Sequence, residues 1–509
     1  MGAAVPKSLK TRNVKSFVGK QVLNIITSGM YDDPLMVIRE FVQNSADAID
    51  LKFGKNASSR GVISIEIDGK SRTMTITDNG CGISADQAEG RLADIGHSFK
   101  EGSELRGFRG IGRLGALAYC DLLRFETRAE SEDEVTIVQW DGKKLRDMSK
   151  DTSKKNISLD EAVKEVASLS TREATKEDQP SFFTVKMINV NPFHKDELIS
   201  IPRIREYLRQ VAPAPIDPAE FTFAEKINNH LKDVSDYRSY NIFVNGTQIY
   251  RPFKDTFQIS KDAQDQILDI VTFDFKDSKG KKVAVGWYAK TNFLAAIPRE
   301  TLMRGIRVRK GNIEVGDENY LQNCFTETRF AAWHIGELHI ASAGVEANAR
   351  RDGFEQSSEF ELFLERCNIL GRHLSGLCRT SSKERSAARS VIQKLEQAER
   401  LLKTNHIFVS EEHREEFGSF LETIVENLRK DLENNESPEL AKRFKTVEAN
   451  YKKFLKGAQS LTEQLDGRAL RRKENKELIA ELCDTVRVLY KQNLTVEEFI
   501  KGMVEPYLK

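Results

Sequence analysis

The 509-residue chain is first narrowed by what it lacks. No stretch approaches the roughly 20 consecutive apolar residues that a bilayer-spanning helix needs. The start, MGAAVPKSLKTRN, shows no apolar signal-peptide core, and Pro6 stands where a myristoylation signal wants Ser or Thr. A cytoplasmic chain with no membrane partner is the expectation. Charge of one sign is also missing: 78 Lys and Arg face 77 Asp and Glu, a formal net charge of +1. The basic excess usual in duplex binders is therefore absent, and the local cluster RALRRKENK (468–476) reads as a solvated helix face, so nucleic acid is not the favoured partner. The six cysteines, at 81, 120, 324, 367, 378 and 483, make no C-x-x-C pair, so neither a zinc cage nor a disulfide framework is indicated. No repeat of solenoid length is present either.

What is present fits a globular chain: 39% hydrophobic and 30% charged residues. The length corresponds to about three to four domains. Residues 1–195 mix helix and strand signals in an α/β sandwich pattern: a helical run DPLMVIREFVQNSADAIDLKF, then the alternating strands GVISIEID and RTMTITD joined by a turn. A polar insertion separates DEVTIVQW from the late strand SFFTVKMINV. Residues 196–375 again mix strands and helices, and Asn245-Gly246 is a hairpin turn signal. Beyond 376 the texture is all-helical. Val391, Leu395, Ala398 and Leu402 form one amphipathic stripe, Phe417, Leu421, Ile424 and Leu428 another, with Ser437-Pro438 as a break. Two readings of these stripes stand side by side, an intramolecular bundle and a homodimer coiled coil.

Three clusters carry the chemistry. In IREFVQNSADAID, Glu40, Asn44 and Asp47 fall at i, i+4 and i+7 and share one helix face. A neutral amide oxygen suits Mg²⁺, and a neighbouring carboxylate can orient or deprotonate a water. In TMTITDNGCGIS, a strand ends at Asp78 and the chain turns through Gly80 and Gly82. A strand-end carboxylate there can accept from an exocyclic amine such as that of adenine. In GHSFKEGSELRGFRGIGRLGALAYC, Gly107, Gly110, Gly112 and Gly115 lead into an apolar run, a pattern whose backbone N–H groups cradle phosphate. No G-K-[ST] follows, which excludes the Walker loop, and no strand immediately precedes, which excludes the dinucleotide fingerprint.

The order and spacing of these clusters resemble the GHKL ATPases of the Bergerat fold: gyrase B-type topoisomerases, ninety-kilodalton heat-shock chaperones, histidine kinases and MutL mismatch-repair proteins. The resemblance covers about residues 30 to 190. It implies ATP and Mg²⁺, with Glu40 as the base that activates the hydrolytic water and Asn44 as the Mg²⁺ ligand. Asp47 supports that shell, Asp78 takes the adenine amine, and Gly80 and Gly82 shape the pocket. Gly107, Gly110, Ile111 and Gly112 form the phosphate-binding lid, with Ser98 and Lys100 beside it. Thr184 is placed in the late strand, where Phe183 replaces the family's Gly.

VEANARRDGFE (345–355) narrows the resemblance to the heat-shock chaperones. By that match Asn348, Arg351 and Asp352 belong to a segment whose arginine reaches the γ-phosphate, with Arg350 as the alternative. The implied protein is an ATP-hydrolysing conformational machine with a closing lid, a protein client and homodimer formation. A DNA-acting ATPase of the MORC, MutL or gyrase kind is the second reading. A histidine kinase fits less well, since no phosphoacceptor hairpin precedes the motifs and His97 lies in the lid. A nucleotide-sensing scaffold without turnover is the third class, against which the intact Glu40 stands.

Overall fold

A computed structural model describes residues 33–94, 112–150, 157–192, 194–232, 234, 236–348, 350–403, 408, 411–433, 437–457, 477, 479, 480, 482–484 and 501. The chain divides into two compact units, Met1–Cys378 and Arg379–Lys509.

The first unit holds two mixed sheets. Helix α1 (Met36–Phe53) buries Val37, Ile38, Phe41, Val42, Ala46 and Ile49, a helical stripe that packs in the same core as the first sheet. The helix stops at Gly54, whose φ of 52° few other residues accept. A helical turn α2 (Ala57–Arg60) leads into β1 (Val62–Asp68), followed by β2 (Thr73–Asp78), α3 (Ala85–Leu92), β3 (Cys120–Arg128) and β4 (Glu134–Asp141). Next come α4 (Gly142–Lys150), α5 (Leu159–Val166), β5 (Ala167–Glu173) and β6 (Phe182–Val190). Ser158 and Glu161 start α5 with a reciprocal capping box. After α6 (Ile201–Val211) and α7 (Ala224–Leu231), the hairpin β7 (Asn241–Val244) and β8 (Thr247–Gln248) completes the sheet, in the order β5-β4-β3-β6-β2-β1-β7-β8. Asn245 and Gly246, at φ of 46° and 71°, make the turn that their dipeptide signals. Because β7 pairs in parallel with β1, the first sheet reaches well past residue 195, into the segment that the sequence assigns to a middle domain.

The second sheet contains β9 (Thr256–Ser260), β10 (Ala263–Lys276), β11 (Lys282–Thr291), β12 (Gly305–Lys310), β13 (Ile313–Val315) and β14 (Ile335–Ile340), in the order β13-β12-β14-β11-β10-β9. It is buried on both faces. Ile270, Val285 and Trp287 meet Ile227 and Leu231 of α7 on one side. Phe275, Ala284 and Tyr288 meet Phe363 of α8 (Ser358–Lys403) on the other.

The second unit takes the later part of α8 with α9 (Glu411–Glu433) and α10 (Pro438–Gly457). Val391, Leu395 and Ala398 share a core with Leu421, Ile424, Leu428, Val447 and Tyr451, so the two sequence stripes pack on each other within one chain. α10 begins at the expected Pro438. All six cysteines are free thiols. Among the described residues, no helix is long and apolar enough to cross a membrane.

Candidate functional site

The site grows from the contact between α1 and the end of β2. Along β2 the buried positions alternate, Met74, Ile76, Asp78, so the carboxylate continues the face that the two apolar residues bury toward α1. Its Oδ1 accepts the Gly80 N–H at 2.9 Å, and the Ser45 hydroxyl of α1 bonds it as well. Burial pushes the Asp78 carboxyl up to about 7, against the smaller opposing effects of Gly80, Ser45 and the Lys52 charge.

Two glycines make this approach feasible. A side chain at Gly80 would strike Ala48 of α1 at 2.6 Å, and one at Gly82, where φ is 67°, would strike the Arg128 carbonyl. The loop between them is fastened at several points. The Cys81 N–H donates to the Ala48 carbonyl at 3.1 Å, Lys52 Nζ to the Asn79 carbonyl at 2.9 Å, and Ser181 Oγ to the Gly80 carbonyl at 2.8 Å.

Glu40 and Asn44 are half-buried on α1, while Asp47 is buried. Their oxygen-only donor set, without a histidine or thiol, suits a hard cation such as Mg²⁺. No cluster of three or more His, Cys, Asp or Glu placed to hold a metal occurs among the described residues, so a cation here needs further oxygens, such as those of phosphates. Gly112 opens the 3₁₀ helix Gly112–Ala118, which packs against α1. Ser98, Lys100, Gly107, Gly110 and Ile111, together with His97, lie outside the described residues.

The expected place of Thr184 is corrected by the strand register. β2 and β6 pair Thr77 with Thr184 and Asp78 with Phe183. Directly opposed residues share a face and neighbours alternate, so Thr184 lies on the sheet face away from Asp78. Its hydroxyl is 3.0 Å from that of Thr77. Phe183 is the residue beside Asp78, and its ring stacks on Phe125 at 5.9 Å.

The segment around Arg351 folds as a small closed loop. Ala347 and Phe354 form a bridge, the Arg351 N–H donates to the Asn348 carbonyl at 3.1 Å, and Asn348 Nδ2 donates to Asp352 at 2.5 Å. Arg351 is buried with a φ of 53°, and its carbonyl accepts the Gly316 N–H at 2.8 Å. The loop reaches α1 directly: the guanidinium of Arg39, the residue before Glu40, donates to the Arg350 carbonyl at 2.6 Å. Arg39, Ser45, Lys52 and Ser181 make contacts at this candidate site that its motifs do not include. Arg39 carried a signal, because it is a charged residue among the buried positions of α1.

Residues 33–175 match the family described as "Histidine kinase-, DNA gyrase B-, and HSP90-like ATPase", which identifies this part of the chain as a domain of that superfamily. The chain is similar to proteins named "Chaperone protein HtpG". That of Geobacter metallireducens is 23% identical over 246 residues, covering 44% of this chain and 36% of the relative. That of Cupriavidus necator is 32% identical over 142 residues, covering 24% and 22%. That of Bacillus licheniformis is 23% identical over 248 residues, covering 44% and 36%. The chain thus spans about a third or less of the length of these relatives.

Proposed function

We propose that the protein binds ATP in the pocket between α1 and the end of β2, hydrolyses it, and converts the cycle into domain movement acting on a protein client, as a chaperone-like machine of the cytoplasm. The placement of Asp78, a carboxylate on a buried apolar face beside the helix of Glu40 and Asn44, carries this reading. Asp78 accepts the adenine amine, Gly80 and Gly82 let the base approach, and the Phe183 ring walls it. Asn44 and phosphate oxygens hold Mg²⁺, which when bound neutralises charge on the phosphates. Glu40 takes a proton from the attacking water as its oxygen bonds to the γ-phosphorus and ADP leaves. Asp47 backs this first shell.

The lid of Ser98, Lys100, Gly107, Gly110, Ile111 and Gly112 closes over the phosphates, and Arg351, or Arg350 beside it, stabilises charge on the transferring group. The Arg39 bond to the Arg350 carbonyl supports this placing of the arginine loop. Functionally the chain is read as an ATP-binding segment (1–195), a transducing segment (196–375) and a helical segment (376–509).

The test is Mg²⁺-dependent ATP hydrolysis by wild type, Glu40→Ala and Arg351→Ala, with ATP affinity measured in parallel. Loss of a general base lowers turnover by about 10²- to 10⁴-fold while binding persists. Normal turnover in Glu40→Ala overturns the base assignment, and a wild type that binds no ATP overturns the whole reading.

A further inference from the structure

We propose that the free edge of β10 is a docking site for an extended, acidic segment of a partner polypeptide, which adds there as a further strand. β11 pairs with β10 over Ile267–Lys276, whereas β9 pairs with it only over Ala263–Gln266. From Leu268 onward, among the described residues, no strand lies against the other side of β10. Natural sheets cover or blunt such edges, because an unpaired row of backbone N–H and C=O groups recruits another strand.

The surroundings of this edge are shaped to admit one. The register places Ile270, Thr272 and Asp274 on the face that α7 covers, and Val271, Phe273 and Phe275 on the face that α8 covers. The edge therefore runs along a trough between two helices, with His230 of α7, whose Nε2 lies 3.3 Å from the Phe273 carbonyl, and Arg366 of α8 on its walls and a cavity of about 660 Å³. Leu268, 51% exposed, stands at one end of the open stretch as an apolar contact for an incoming chain.

Charge selects the occupant. The acidic groups of the trough are already engaged, though the Asp274 Oδ1 makes no hydrogen bond: Asp274 lies 3.3 Å from Lys282 and 3.4 Å from His230. Asp277 accepts the backbone N–H groups of Lys279 and Lys281 at 2.8 Å each. The cations are not. Among the described residues, no carboxylate pairs with the half-buried Arg366 or the exposed Lys276, and Arg366 Nε is buried without a hydrogen-bond partner. A strand that places a carboxylate against the Arg366 guanidinium forms a charge-assisted pair there while its main chain pairs with β10.

The probe is a fluorescein-labelled eight-residue peptide alternating threonine and glutamate, added to the full chain and followed by fluorescence anisotropy and amide hydrogen exchange. Binding with slowed exchange confined to residues 267–276 is expected. Arg366→Glu and, at an exposed position, Lys276→Glu each weaken binding by about tenfold or more. The same peptide with lysine in place of glutamate binds Arg366→Glu and not wild type. The proposal is overturned by no binding at millimolar peptide, by equal affinity for the folded charge-reversed variants, or by protection elsewhere. A concentration-dependent dimer in sedimentation that itself protects 267–276 assigns the edge to a second copy and overturns the choice of partner.

Discussion

Each sheet of the first unit buries a carboxylate to the same extent, Asp78 in the first and Glu337 in the second, both 1% exposed. Their surroundings are opposite. Asp78 meets a backbone N–H and a hydroxyl, Lys52 acts on it only at a distance, and burial drives it up to about 7. Glu337 is buried too, but contacts with Arg251 and Arg309, together with His339 at 3.3 Å, outweigh desolvation and hold it below the usual carboxylate range. The two arginines extend the connection: Arg309 also donates to the Gln210 carbonyl at the end of α6, and Arg251 Nε to the Ala214 carbonyl at 3.2 Å. Glu337 is thus the centre of a fastener that ties α6 to the second sheet. Asp78 ties no such elements together by charge: its bonds run to the Gly80 N–H and the Ser45 hydroxyl.

The sharpest way to break the comparison is to delete each carboxylate. Glu337→Ala strands two buried guanidinium groups and is expected to cost about 3–5 kcal/mol. The readout is the urea midpoint at neutral pH, and a shift indistinguishable from zero would falsify the fastener. Asp78→Asn removes a charge that burial already disfavours, so its stability stays within about 1 kcal/mol of wild type. Nucleotide binding measured by calorimetry is lost in the same variant. An Asp78→Asn protein that unfolds like Glu337→Ala, or binds ATP normally, removes the distinction between the two sheets.

The same pair shows how much was legible in the sequence. Asp78 was readable, because the alternation of RTMTITD gives the carboxylate the parity of Met74 and Ile76, and the glycines that follow admit few alternatives. The parity of SFFTVKMINV carries equivalent information, with Val185 and Met187 buried in phase with Phe183. Thr184 was assigned by motif rather than by parity, which is why the register corrects it. The Glu337 network was not legible. In GIRVRKGNIEVG the charged positions alternate with apolar ones as on a half-exposed strand, yet Arg307, Arg309 and Glu314 are all buried. Arg307 and Glu314 pair with each other across the hairpin, but the second partner of Arg307, Gln210, and the partner of Arg309, Glu337, which Arg251 also holds, come from remote parts of the chain, and local periodicity carries no trace of that pairing.

A smaller effect separates the two carboxylates by the sign of their pH dependence. The folded-state value of Asp78 is raised from 3.8 to about 7, so between those values the folded protein holds a proton that the unfolded chain has released. Its contribution is fully present at low pH and is lost as pH rises through about 7, by a few kcal/mol at most. Glu337, with its folded value depressed below 4.5, does the reverse: its stabilisation is present above that value and is lost as pH falls. An adenine amine that donates to Asp78 favours the ionised form, so nucleotide uptake near neutral pH releases a proton. ADP affinity should therefore weaken as pH falls below about 7, by up to about tenfold per unit, and level off above it. Calorimetry in two buffers of different ionisation enthalpy counts the proton. A flat affinity from pH 5.5 to 8, or no proton released on binding near pH 7, shows that the base is not read by this carboxylate.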